Sequence, residues 1–420
     1  MTIKQTLILA DDLTGANDTA IQFVKEGLSA LVLTNAASTE ASIGYDVVSI
    51  NSNSRGMNPD DAYRVVYDTV KELKPTDNEY FVYKKVDSVL RGNPGQELAA
   101  VMTALDLPFA LVAPSFPANR SVMENGLLSP NGDTSSGAII NAVKIFAEGA
   151  HRKTENIPLQ KIRQGADSVL AYIKEHNDRG TEIFVADAVT DSDLEIIFET
   201  SSLLEKKHIL TGSAALAKQA ARYLGASKEK KKAEKHEANA KPALIIAGTR
   251  QRATAEQLLA VSDALKVPII RFNTQAVLEN KIDHAIKEVK LNVEEHILRN
   301  SPLCIIAVEA MFEEDNEQNY DEGDSRATAI ATALGKLGED LLKTFRFSFL
   351  LCTGGDTAMR ICKQVNTIGI EPLEEICPGI PLGRIKGGEC DGYPIITKSG
   401  RFGNKDTALH ILKYMGVINE

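Results

Sequence analysis

Short apolar runs alternate along the chain with stretches whose apolar residues recur at helical spacing. Residues 7–10, 30–34, 45–50, 80–86 and 109–113 read as buried strands. Between them, Ala20, Ile21, Phe23 and Val24 supply the face of a helix that ends at Gly27. Ala62, Val65, Val66, Thr69 and Val70 supply a second, opened by Pro59 with Asp60 and Asp61 in its first turn. Leu98, Val101, Met102 and Leu105 supply a third, with Pro94 at its start. The order β-α-β-β-α-β-α-β predicts a doubly wound sheet. From 115 to 137 the periodicity stops. Asn119, Arg120, Asn125, Gly126, Pro130, Asn131, Gly132 and Asp133 predict a long polar loop, which in a compact domain is usually functional or mobile. Regular elements resume with a helix at 160–175, a strand at 182–186 and a helix after Asp191. Residues 209–217 read as a short strand entering a small-residue helix, where Gly212 and Ser213 either allow close packing or hold an anion on their amides.

At 226–241 the pattern changes to ASKEKKKAEKHEANAK, a lysine-dense run with no buried face, which reads as a solvated linker. It divides an N-terminal domain (1–225) from a C-terminal domain (242–420). Strands follow at 243–247, 267–272, 303–308 and 347–352, with helices at 253–265, 281–298 and 326–343 and an acidic surface loop at 312–324. Short strands punctuated by turns, at 379–384 and 393–398, precede a last helix. The expected fold is α/β, with two doubly wound Rossmann-like domains facing a cleft.

Composition narrows the function. The chain of 420 residues is 43% hydrophobic and 25% charged, ordinary for a soluble globular protein. Its net charge of −10 argues against a general nucleic-acid or membrane binder. Cys304, Cys352, Cys362, Cys377 and Cys390 form no C-x-x-C pair, and an odd count suits free thiols in a reducing cytosol. With no signal-peptide pattern and no apolar run of membrane length, the expectation is a cytoplasmic protein, for which a homodimer is compatible.

Chemistry gathers in two places. In the first half, the strand at 7–10 stops at Asp11 and Asp12, before Thr14, Gly15 and a helix start. That is the carboxyl edge where open α/β sheets bind ligands, although two carboxylates could also merely cap the helix. Arg55, Lys85, Asp87, Ser88, Arg91 and Asn93 map to the same edge. An arginine there could take a carboxylate two-pronged, and an aspartate could accept a hydroxyl proton or hold magnesium. An internal salt-bridge network of Lys84, Lys85 and Asp87 is the plain alternative. In the second half, Thr353-Gly354-Gly355-Asp356-Thr357, Gly400-Arg401-Phe402-Gly403 and Gly248-Thr249 lie at strand or helix ends, where backbone amides could face phosphates. No G-x-x-x-x-G-K-[ST] is present, so a P-loop is excluded. No G-x-G-x-x-G follows a strand, and H-E-x-x-H is absent. One half cradling phosphates and one recognising a hydroxylated anion is the anatomy of a small-molecule kinase.

Ala10-Asp11-Asp12-Leu13-Thr14-Gly15-Ala16-Asn17-Asp18, Lys85-Val86-Asp87-Ser88-Val89-Leu90-Arg91-Gly92-Asn93, Thr353 to Ala358 and Gly400 to Gly403 together resemble the four-carbon acid sugar kinase family, almost end to end. The resemblance implies ATP-dependent phosphorylation of the terminal hydroxyl of a C4 sugar acid, with ATP and Mg2+ as cofactors. The Asn17-Asp18 and Arg91 to Gly95 variants are most similar to the D-threonate and D-erythronate branch. It implies sugar-acid contacts by Asp12, Arg55, Lys85, Val86, Asp87 and Ser88, and ATP contacts by Thr249, Gly354 to Thr357 and Gly400. Where many relatives carry Gly-Ser, this chain has Gly248-Thr249, which keeps the hydroxyl. The expected roles are Asp12 or Asp87 as proton acceptor, Arg55 or Arg91 as carboxylate grip, and Lys85 offsetting charge. A 3-oxo-tetronate kinase is the close alternative. A magnesium phosphohydrolase built on Asp11 and Asp12 and a non-catalytic ligand sensor are the distant ones.

Overall fold

The first apolar run forms β1 (Gln5–Ala10) and passes directly into α1 (Leu13–Val24). Asp12 caps this helix by accepting from Gly15 N at 2.8 Å, and the helix is buried from Leu13 to Phe23. The structure, a computed structural model, describes residues 4–34, 41, 43–73, 80–130, 132, 139–229, 241–312 and 324–418. They fall into two compact units, Met1–Lys230 and Lys231–Glu420. Residues 230–240 of the lysine-dense run and 313–323 of the acidic loop lie outside the described residues.

In the first unit β2 (Ala30–Leu33), β3 (Val47–Asn51), α2 (Pro59–Leu73), β4 (Tyr80–Lys85), α3 (Pro94–Ala104) and β5 (Ala110–Ala113) follow in the predicted order. The stretch after Ser115 differs from the predicted loop. β6 (Val122–Glu124), β7 (Leu127–Ser129) and β8 (Ile140–Asn141) pair into a small antiparallel sheet. Asp187 fastens it, accepting from Asn125 N at 2.7 Å and Gly126 N at 2.9 Å. Strands of two or three residues are too short to show a period. Residues 131 and 133–137 of the predicted loop lie outside the described residues. Next come α4 (Ala142–Ala150) and β9 (Thr154–Ile157), neither anticipated. The helix expected at 160–175 is two, α5 (Leu159–Ile162) and α6 (Ala166–Asp178), broken by Gly165 at φ +98°. β10 (Ile183–Ala186), α7 (Asp191–Leu203), β11 (Ile209–Gly212) and α8 (Ala214–Leu224) complete the unit.

Its sheet runs β2-β3-β1-β4-β11-β5-β10-β9, all parallel. Both faces are covered, so the inner strands are largely apolar, as parallel sheets require, whereas the edge strand β9 is polar and half-buried. The chain runs to one side of β1 first and to the other afterwards. β1, flanked by β3 and β4, therefore sits where such sheets reverse their order.

The second unit holds β12 (Ala243–Ala247), α9 (Arg252–Leu265), β13 (Ile269–Phe272), α10 (Thr274–Leu278), α11 (Ile282–Leu298), β14 (Leu303–Val308) and α12 (Ser325–Thr344). Then follow β15 (Leu350–Thr353), α13 (Gly355–Gln364), β16 (Gly369–Cys377), β17 (Ile380–Lys386), β18 (Pro394–Lys398) and α14 (Thr407–Tyr414). Its sheet order is β13-β14-β12-β15-β18-β17-β16. The first five strands are parallel and the last two form an antiparallel hairpin. β16 was not anticipated, because Glu371, Glu374 and Glu375 give it the look of a surface segment. All five cysteines are free, and burial pushes the Cys304 thiol up to about 12. Among the described residues no helix is long and apolar enough to cross a membrane.

Candidate functional site

In the first unit, parallel pairing puts Ala10 opposite Asn51, and Leu9 opposite Lys84. The segments after β1, β3 and β4 therefore leave the sheet side by side. They converge on Arg55. Its Nε and Nη2 donate to the two oxygens of Asp11 at 2.7 and 2.9 Å, and its Nη1 lies 2.8 Å from Asp12 Oδ2. Nη2 also lies 3.7 Å from Asp87 Oδ1. Arg91 turns back along its own turn, donating from Nε and Nη2 to Asp87 at 3.0 and 2.7 Å. Three carboxylates thus meet Arg55 and Arg91, and with the charge of nearby Lys85 the cluster is close to neutral.

The cluster shifts the acidities of its members. Burial by itself would raise Asp87, but the charges of Arg55, Arg91 and Lys85 overcome it and hold the carboxyl far below the usual range. Asp11 is lowered by the same contest between burial and Arg55. Burial would lower Arg55, but Asp11, Asp12 and Asp87 raise it well above its ordinary value.

Lys85 differs from its neighbours. It is 4% exposed, yet among the described residues its Nζ makes no hydrogen bond and no direct ion pair. It lies over the first turn of α1, where a Cβ on Gly15 would stand 2.9 Å from Nζ and 2.6 Å from Asp12 Oδ1. An ammonium with unspent donors beside helix amides and a carboxylate can meet an anion or a hydroxyl.

Other expected residues have different tasks. The Asn93 amide donates to Met57 O at 2.9 Å and Ser54 O at 3.3 Å, so it shapes the Arg55 loop. The Val86 side chain lies in the apolar core, and its N–H donates to Gly212 O at 2.9 Å. Only the backbone of Val86 is left to face a ligand. Ser88 is half-buried, with its carbonyl taken by Ser121 Oγ. The expected alternative of a Lys84–Lys85–Asp87 network is corrected. Lys84 pairs with Glu97 at 2.7 Å, both sealed from solvent, and Ser54 Oγ donates to the same carboxyl at 2.6 Å. That pair was missed because 13 residues and a turn separate its members. The capping role of Asp12 holds alongside its contact with Arg55.

In the second unit, register aligns Ala247, Thr353 and Lys398, the last residues of β12, β15 and β18. Gly248 N donates to Thr353 O and Gly354 N to Lys398 O, so the three glycine segments start side by side. They then crowd together. A Cβ on Gly248 would overlap Thr357 Oγ1, and one on Gly400 would overlap Thr249 Oγ1. Gly354, at φ +103°, lies against both threonines and opens α13, with Gly355 and exposed Asp356 in the first turn. Among the described residues Thr353 Oγ1 is buried without a hydrogen-bond partner. Open helix amides, a side-chain-free wall and two hydroxyls fit polyphosphate oxygens. Gly403 stands apart, packing on Thr407 at the start of α14, where its φ of +86° turns the chain. Sequence reasoning missed Lys398, which is 1% exposed and donates to Ser399 O and Phe402 O at 3.0 and 3.2 Å.

A doubly wound unit with a balanced charge cluster at its sheet edge, joined in one chain to a unit of crowded glycine loops, defines a two-domain α/β protein for a small polar ligand and a phosphate-bearing one. Residues 6–220 match the family described as a sugar-binding N-terminal domain, and 244–408 match the nucleotide-binding C-terminal domain. The chain belongs to the four-carbon acid sugar kinase family. A Salmonella typhimurium D-threonate kinase is 28% identical, over 97% of this chain and 98% of its own. A Heliobacterium modesticaldum D-erythronate kinase is 25% identical, over 98% and 97%. A Haemophilus influenzae 3-oxo-tetronate kinase is 24% identical, over 95% and 97%. The fold is also that of a solved Salmonella typhimurium protein, with a TM-score of 0.77 at 19% identity over 97% of this chain and 99% of that one. A solved Haemophilus influenzae protein gives 0.67 at 22%, over 97% and 100%.

Proposed function

We propose that this chain is an ATP-dependent kinase that phosphorylates the 4-hydroxyl of D-threonate or D-erythronate. The observation that carries the reading is the presence of both matched domains in one chain, with relatives of that activity aligned along nearly its whole length. Phosphoryl transfer asks mainly for in-line positioning and charge neutralisation. The mixed cluster of the first unit and the amide-lined loops of the second supply groups for both.

Within that reading, Asp12 accepts the hydroxyl proton. Asp87 is suited to holding the cations in place, because a carboxyl held so far below its usual range is a poor base. The Arg55 fork is filled by Asp11 and Asp12, whereas Arg91 is 31% exposed, so Arg91 and Lys85 are the groups that meet the substrate carboxylate. ATP lies against Gly248, Thr249, Gly354 to Thr357 and Gly400. Magnesium travels on the triphosphate, held largely by phosphate oxygens and water. Among the described residues no group of three His, Cys, Asp or Glu could hold it.

The test is ADP release from MgATP with a panel of C4 acids, with the product's phosphate position read by 31P NMR. Turnover confined to a 3-oxo-tetronate shifts the assignment to the relatives of that name. ADP formation that no C4 acid stimulates sinks the proposal.

A further inference from the structure

Lys398 is a buried lysine without a carboxylate partner among the described residues, at the base of the Gly400 loop. Its Nζ donates to Thr254 Oγ1 at 3.2 Å, Ser399 O at 3.0 Å and Phe402 O at 3.2 Å, which uses all three ammonium donors. Thr254 Oγ1 in turn donates to Gly400 O at 2.9 Å, and Gln257 Nε2 to Phe402 O at 3.0 Å. The carbonyls of Ser399, Gly400 and Phe402 are therefore all fastened from the inner side.

In a trans peptide the N–H points opposite to the C=O. Anchoring those three carbonyls inward turns the N–H groups of Gly400, Arg401 and Gly403 outward. Among the described residues none of the three amides has a hydrogen-bond partner. Successive open amides of this kind make an anion-binding concavity. An ion kept in the interior is costly unless something needs it there, and burial pushes the Lys398 pKa down to about 7.

We propose that Lys398 is a positioning residue for nucleotide binding: through the carbonyls of Ser399 and Phe402, and through Thr254 to Gly400, it holds the 399–403 loop so that its amides meet the ATP phosphates. The proposal rests on the kinase reading above. Lys398 does not touch the nucleotide, and its effect passes through the loop.

The experiment is calorimetric titration of the full-length protein with MgATP and, separately, with the sugar acid, for wild type, Lys398→Met and Thr254→Val. Both variants are expected to bind MgATP at least tenfold more weakly and the sugar acid as wild type does. The KM for ATP should rise by more than kcat falls. The double variant should lose less than the product of the two single losses, because both break one relay. The melting temperature of Lys398→Met should not drop, which separates lost positioning from lost folding. If Lys398→Met fails to fold, Thr254→Val decides alone. MgATP affinity within twofold of wild type in the folded variants overturns the proposal. A wild-type protein that binds no MgATP overturns the kinase reading, and this inference with it.

Discussion

Arg55 meets Asp11 side on, with Nε and Nη2 donating to the two carboxylate oxygens at 2.7 and 2.9 Å, and the Asp11 side chain is only 4% exposed. A fork-to-fork pair of this geometry is strong and directional. Removing the acid leaves a buried guanidinium short of a counter-ion. Asp11→Ala should therefore cost about 3 kcal/mol of unfolding free energy. That is the lower end for a broken buried pair, because Asp12 still meets Arg55. Urea denaturation measures it, and a loss under about 1 kcal/mol would show that Asp12 and Asp87 suffice.

Asp11 and Asp87 are both held below their ordinary acidity in the folded chain. A carboxyl lowered on folding contributes stability that is present above its unfolded pKa, about 4, and lost as pH falls toward the folded value. The melting temperature should accordingly fall steeply below about pH 4. Asp87→Asn should flatten that acid limb while leaving the limb above pH 6 nearly parallel to wild type. An unchanged acid limb in Asp87→Asn rules out Asp87 as a source of the slope.

How far the sequence announces this cluster depends on chain direction. Asp11, Asp12, Arg55, Lys85 and Asp87 lie at or just past the ends of three strand runs, and parallel neighbours bring such ends to one edge, so the grouping was legible. Which charge meets which was not. Lys84 and Lys85 look alike in sequence, yet opposite sides of the pleat send one to Glu97 and the other over α1. Lys398 ends a run, 393–398, that reads as a short strand, and nothing in that run marks its last residue as buried. Only the packing of α9 and the 399–403 loop over that end buries it. The hairpin of β16 and β17 was half hidden, since three glutamates in nine residues mask a strand.

The proposed division of labour between the two aspartates separates in kinetics. Asp12→Asn keeps a side chain that can still cap Gly15 N but removes the proton acceptor. Turnover should fall by about 10²–10⁴, the usual span for a general base, with MgATP affinity unchanged. Asp87→Asn should instead raise the KM for the sugar acid, because it loosens Arg91 and Arg55. Single-substrate titrations alongside steady-state rates distinguish the two. Near-normal turnover in Asp12→Asn removes Asp12 from the chemistry.

The glycine crowding in the second unit gives a prediction confined to the nucleotide. A methyl on Gly248 would overlap Thr357 Oγ1 at the start of α13. Overpacking of this kind costs about 1–3 kcal/mol where neighbours cannot move, and here it displaces a hydroxyl and helix amides assigned to phosphate. Gly248→Ala should weaken MgATP by at least tenfold without altering sugar-acid affinity. Equal weakening of both ligands in calorimetry would mean that the substitution disturbs more than the phosphate site.

The same lysine that shapes the 399–403 loop should also leave a mark on stability against pH. Burial lowers Lys398 from 10.5 to about 7 in the folded chain, while the unfolded chain keeps the ordinary value. Between these limits the unfolded state binds more protons, so stability rises with pH from about 7 toward about 10.5, and the charged form is the costly one below that window. Lys398→Met removes the buried charge and should be more stable than wild type at pH 6 by about 1–4 kcal/mol, as when buried ions give way to apolar side chains. The advantage should shrink as pH rises toward about 10.5, because the folded lysine is already neutral there and the unfolded one begins to lose its proton too. Urea titrations of both proteins at pH 6, 8 and 9.5 read the difference directly. A gap that stays constant across that range would show that the Lys398 ammonium is not strained by burial, and that the three oxygens around it compensate fully for the water it has lost.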